Sequence, residues 1–165
     1  MSFNLLDERW IPILGEKDGV SLIELFARAH DLRAIAGESP TMTAALYRLA
    51  IAVLHRAVGP PDEETWAKLW QDEQLPMAPI RDYLEEWRSR FDLFGDEPFY
   101  QCPALAGKEP QTAALLVPYR ASGNNALLFD HTTAATKVTI TPAQAACWLV
   151  TAQGFDLGGT KSIGA

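Results

Sequence analysis

Residues 39–61, SPTMTAALYRLAIAVLHRAVGPP, decide how the rest of the chain is read. Ser39 suits a helix N-cap and Pro40 suits the first helical position, where no amide partner is needed. Ala44, Leu46, Leu49, Ile51, Val53 and Leu54 follow, apolar nearly all round, which predicts a buried central helix closed by Gly59-Pro60-Pro61. Downstream, Asp62 caps a second helix with Trp66, Leu69 and Trp70 on one stripe. Pro76 and Pro79 punctuate the next turn, and a third helix over 80–91 places Tyr83, Leu84, Trp87 and Phe91 on one face. Such aromatic stripes predict core packing.

Upstream, Phe3–Leu6 and Trp10–Leu14 are short apolar runs, and Gly15 and Gly19 bracket a charged turn. This predicts a hairpin with Pro12 pushing one strand to an edge. Ser21 and Glu24 have capping-box spacing, which starts a short helix over about 22–29. Past Phe94 the texture changes. Prolines and glycines crowd residues 95–125, Ser122-Gly123-Asn124-Asn125 is a turn signal, and Ala126–Phe129 is a short strand candidate. Asp130–Thr139 is polar and reads as an exposed, mobile segment. Thr141, Pro142 and Gln144 form a second capping box for a helix to about Ala152, and a glycine-rich run through Gly154, Gly158 and Gly159 follows. The predicted class is therefore α+β: an N-terminal hairpin, several helices, an irregular section over about 95–140 and a closing glycine-rich loop. A loop of that kind rarely closes a domain, which predicts an N-terminal domain of a longer protein.

Composition narrows the function. The 165 residues carry 14 Lys+Arg against 21 Asp+Glu, a net charge of −7, and 48% of them are hydrophobic, which fits one globular domain. The longest apolar stretch, Ala44–Val58, is interrupted by Tyr47, Arg48, His55 and Arg56, so no membrane span is expected. Asp7, Glu8 and Arg9 break the first apolar run, so no signal peptide is expected. Two cysteines without CxxC spacing imply a reduced, cytoplasmic protein, with Cys147 a small buried residue. Residues 1–100 hold 10 basic and 18 acidic side chains, and residues 101–165 hold 4 and 3. If the chain meets a polyanion, the last third is the expected place.

Catalytic signatures are missing from residues 1–153. His30, His55 and His131 share no metal-ligand spacing, and no nucleophile–base motif appears. The glycine-rich run is not a Walker A loop, because Thr160 stands where that motif requires Lys. Successive glycines let backbone amides approach a phosphate or a groove, and Lys161 adds a positive charge.

Two resemblances follow. Asp156-Leu157-Gly158-Gly159-Thr160-Lys161 resembles the phosphate loop of ROK-type sugar kinases, although in that family the motif opens the chain. A second resemblance runs the length of the sequence. Asn4-Leu5-Leu6-Asp7-Glu8-Arg9-Trp10-Ile11-Pro12, then Glu97-Pro98-Phe99-Tyr100-Gln101, the Ser122-Gly123 turn leading to Phe129, and the helix 141–153 with its glycine loop and Lys161-Ser162 are similar, in order and spacing, to the CasA family. That family provides the large subunit of the type I-E CRISPR surveillance complex, Cascade.

The resemblance implies a non-catalytic subunit, without a cofactor, that recognises the protospacer-adjacent motif (PAM) in double-stranded DNA and helps recruit a helicase-nuclease. Its implied partners are the guide CRISPR RNA, other Cascade subunits, target DNA and that effector, with no membrane. Gly158, Gly159, Thr160 and Lys161 would meet the PAM minor groove, whose degenerate code suits close backbone approach. Asn124, Asn125, Phe129, Asp130 and His131 would form a loop contacting guide RNA and neighbouring subunits. The family's helical bundle would follow beyond residue 165. A plain scaffold subunit is the third reading, beside the surveillance subunit and the kinase.

Overall fold

The computed structural model describes residues 2–59, 62–105, 112–120 and 138–155. Among the described residues five α-helices order the chain: α1 (Leu22–Ala27), α2 (Pro40–Ala57), α3 (Glu63–Gln71), α4 (Met77–Glu86) and α5 (Pro142–Phe155), with 3₁₀ turns at Arg88–Phe91, Pro103–Leu105 and Ala113–Leu116. Their starts follow the capping chemistry. Ser21 Oγ accepts from the Glu24 amide at 3.2 Å while Glu24 Oε2 accepts from the Ser21 amide at 3.1 Å. Ser39 Oγ takes the Met42 amide, and Asp62 Oδ1 takes the Thr65 amide at 2.8 Å. Pro79 does not interrupt α4, because it falls in the first turn, where amides have no intrahelical partner.

α2 packs chiefly on α5 and also on α4, and α1 packs on α4. One apolar cluster joins Leu5, Leu6 and Trp10 from the start of the chain to Met42, Leu46 and Leu49 of α2, Ile80 and Leu84 of α4, and Ala146, Trp148 and Val150 of α5.

Three expectations need correction. First, the α+β reading gives way to a mostly helical fold. Among the described residues β pairing is confined to three isolated antiparallel bridges, Asn4 with Asp92, Ile11 with Val20, and Ile13 with Ile35. The cause is local. Asn4 turns the chain, its carbonyl accepting the amides of Asp7 and Glu8 and its Oδ1 that of Leu6. Pro12 then has no amide to extend a ladder. The strand proposed over 126–129 and the closing glycine-rich loop lie outside the described residues.

Second, α2 is not buried all round. Met42, Ala45, Leu46, Leu49 and Val53 face the core, while Ile51 on the far side is 53% exposed. Third, α3 buries none of its residues: Trp66 and Trp70 pack on each other at 6.4 Å between ring centroids, and Trp70 is 80% exposed.

The opening motif is structural. Trp10 is buried, and its indole N–H donates to the Leu5 carbonyl at 2.9 Å. Asp7 pairs with Arg88, which also binds Glu85 through Nε at 2.6 Å and Nη2 at 2.7 Å. Asp92 fixes the first residues by accepting from the Phe3 and Phe94 amides.

The two thiols differ sharply. Cys147 is buried in α5, where burial pushes its pKa up to about 12 and its S–H donates to the Trp10 carbonyl; Cys102 is exposed. The thiolate is the reactive form. A disulfide exchange reagent at neutral pH is therefore expected to titrate Cys102 in the native protein and Cys147 only after unfolding. Equal rates at both positions would contradict the packing of α5.

Candidate nucleic-acid interface

α5 carries both candidate segments. Its N-terminus is closed by a reciprocal box: Gln144 Oε1 accepts from the Thr141 amide at 2.9 Å, and Thr141 Oγ1 accepts from the Gln144 amide at 3.2 Å. Cys147, Trp148, Val150 and Thr151 bury its middle. Its fourteen residues span roughly 20 Å. The chain enters α5 from the segment holding Asn124, Asn125, Phe129, Asp130 and His131, and leaves it toward Gly158, Gly159, Thr160 and Lys161. All nine of these residues lie outside the described ones. What the structure defines is the ground each segment springs from.

The stem before the first segment is anchored at Tyr119. Its ring meets Trp148 edge-on at 5.5 Å, and its hydroxyl donates to Glu38 Oε2 at 2.7 Å. That bond to a carboxylate, with partial burial, raises the Tyr119 pKa.

The root of the second segment is built from three parts of the chain. From α2, Arg48 Nη1 donates to the Gly154 carbonyl at 3.4 Å, and its guanidinium carbon sits 5.7 Å from the centroid of the Phe155 ring. Such a cation–π contact holds the last turn of α5 against α2. From α5, Gln153 Nε2 donates to the Tyr100 carbonyl at 3.2 Å. Tyr100 supplies that carbonyl from the left-handed region, φ +54°, alone among the described non-glycine residues. The turn is held by Gln101, whose Nε2 donates to the Leu93 carbonyl at 2.9 Å, and by Phe99, stacked on Phe91 at 5.7 Å and packed against the Tyr100 ring at 4.4 Å. The Pro98-Phe99-Tyr100-Gln101 motif thus braces the exit of α5. Between these parts lies a shallow depression of about 180 Å³ lined by Arg48, Ala52, Tyr100, Gln153 and Gly154.

Sequence reasoning did not single out Arg48, Tyr100 or Gln153 as members of this root. A signal for Arg48 was available: α2 carries Arg48, His55 and Arg56 and no carboxylate, in an acidic chain. Nothing local marks Gln153 or the Tyr100 carbonyl, because their meeting depends on tertiary packing. Among the described residues no group of three or more His, Cys, Asp or Glu could hold a metal ion, and no helix is long and apolar enough to cross a membrane.

Comparison with known proteins agrees with this architecture. Residues 4–165 match the family model described as CRISPR-associated protein Cse1. The CRISPR-associated protein CasA/Cse1 of Thermus thermophilus is 45% identical over 161 residues, which cover 95% of this chain and 32% of that protein. The crystal structure of Thermobifida fusca Cse1 superposes with a TM-score of 0.79 at 39% identity, covering 96% of this chain and 31% of that one. A chain of a CRISPR RNA-guided surveillance complex shares the fold, with a TM-score of 0.79 at 22% identity, over 92% of this chain and 34% of that one. These matches lend the ROK-type reading no support. The chain spans about a third of the length of the relatives it matches, and it belongs to the CRISPR-associated Cse1 (CasA) family.

Proposed function

We propose that this chain is the N-terminal part of the large, non-catalytic subunit of an RNA-guided surveillance complex, and that it helps recognise the PAM in double-stranded DNA. The observation that favours this reading is the braced root of the glycine segment, held by Arg48 on Gly154 and by Gln153 on Tyr100. A fixed root lets main-chain groups of Gly158, Gly159 and Thr160 be presented to a narrow groove, with Lys161 beside a phosphate. Minor-groove readout separates A·T from G·C and little more, so backbone contact suits a short and permissive motif. Base pairing with the guide reads the remainder of the target. Asn124, Asn125, Phe129, Asp130 and His131 serve as the contact to guide RNA and neighbouring subunits. The helicase-nuclease is recruited by the assembled complex, in the cytoplasm.

The test uses the full-length protein in its guide-RNA complex, with a PAM-bearing duplex and a scrambled one. Gly159→Trp is expected to weaken binding of the PAM duplex about tenfold or more, the value of one good groove contact, while assembly of the complex is retained. Unchanged target binding by an assembled variant would overturn the site.

A further inference from the structure

The outer face of α2 is basic and adjoins the glycine root. Arg48, Ala52, His55 and Arg56 are all exposed, and their spacing of i, i+4, i+7 and i+8 puts them on one side of the helix. Within Pro40–Ala57 there is no acidic side chain. Several arginines elsewhere are neutralised: Arg9 pairs with Glu24, Arg28 with Glu16, Arg88 with Asp7 and Glu85, and Arg90 with Glu97. Among the described residues neither Arg48 nor Arg56 has such a partner. In a chain of net charge −7 a helix face that carries basic side chains and no carboxylate of its own suits the approach of a polyanion. Arg48 spends one donor on Gly154, and a guanidinium has five. Ala52, between the two arginines, adds only a methyl group to this face.

We propose that Arg48 and Arg56 follow the phosphate backbone of the same duplex whose minor groove the glycine segment meets, an assignment that rests on the reading of that segment given above. Eight residues of helix separate the two arginines by roughly 12 Å, farther than neighbouring phosphates of one DNA strand lie from each other. The pair therefore spans several phosphates of one strand, starting at the glycine root and running away from it. Phosphate contacts fix register and orientation without reading bases. The surface supplies affinity and the glycine segment supplies discrimination. Placing this contact on α2 extends the polyanion site beyond the last third of the chain, the place its charge distribution suggests.

The experiment compares Arg48→Gln, Arg56→Gln and the double variant in the full-length protein within its guide-RNA complex. Affinity for PAM-bearing and scrambled duplexes is measured from about 50 to about 200 mM salt, where phosphate contacts are strongly salt-dependent. Each substitution is expected to reduce the slope of log affinity against log salt by about 0.9. For Arg56→Gln both duplexes should weaken by the same factor, leaving their ratio unchanged, and Arg56→Lys should keep the wild-type slope; Arg48, which also braces the glycine root, is read by its slope alone. A wild-type slope in the double variant overturns the proposal. So does loss of complex assembly in the double variant, which would assign the face to a contact within the complex. If the slope falls but the wild-type protein does not distinguish the two duplexes, the phosphate surface stands and the PAM reading fails.

Discussion

Replacing Trp10 by alanine is expected to cost about 3–5 kcal/mol of stability, the range for removing a buried aromatic side chain. Trp10 is 3% exposed and belongs to the cluster that joins the start of the chain to α2 and α5. The Leu5 carbonyl would lose the indole N–H but keep the Leu22 amide, which donates to it at 3.1 Å. Cavity formation, not an orphaned acceptor, is therefore the main loss. Trp10→Phe retains much of the volume and gives up one hydrogen bond, worth about 1 kcal/mol, so it should fall well short of the alanine variant. Urea unfolding followed by circular dichroism checks both. Equal losses for Phe and Ala would show that the hydrogen bond, and not the packing, dominates at this position.

The second large effect is expected at Gly19. Its φ is +67°, and a Cβ placed there would lie 2.6 Å from the Ile11 carbonyl oxygen. That oxygen accepts the Val20 amide at 2.9 Å in the bridge that closes the 15–19 turn, so it cannot retreat without breaking the pairing. Gly15 offers an internal control, with φ +89° and nothing within 4 Å of its Cβ position. Gly15→Ala should cost about 1–2 kcal/mol, the strain of a left-handed L-residue. Gly19→Ala should add a further ~1–3 kcal/mol of steric overlap. Midpoints of chemical unfolding for the two variants test the difference. Equal destabilisation would mean that the Ile11 carbonyl yields readily.

The difference between these glycines shows where sequence reading stops. Both were legible as turn residues, but only the approach of Ile11 distinguishes them. Helix starts were legible for the same local reason: Ser21, Ser39, Asp62 and Thr141 each hold an amide three residues on, and the signal lies within one turn. Burial was less legible, because it depends on what packs opposite. α2 has apolar residues around most of its circumference, yet α4 and α5 cover one side. α3 has a clear aromatic stripe and no buried residue. The hairpin expected near the N-terminus failed because side-chain capping by Asn4 and the missing amide of Pro12 favour single bridges over a ladder. At the candidate site, the glycine run and the Pro-Phe-Tyr-Gln motif were visible as separate pieces. Their connection through Gln153 and the Tyr100 carbonyl is non-local and could be seen only in the fold.

The two bonds at the root of the glycine segment have one further property. Arg48 and Gln153 both end on main-chain carbonyls, those of Gly154 and Tyr100. Every residue type supplies that acceptor, so substitutions at the accepting positions leave it in place as long as the backbone path is kept. The donors belong to helices whose other faces are committed to the core. Such a mounting resembles a socket: the two bonds of the seat use no side chain beyond residue 155. On the function proposed above, a change of target preference would accordingly need no compensating change in the hydrophobic interior.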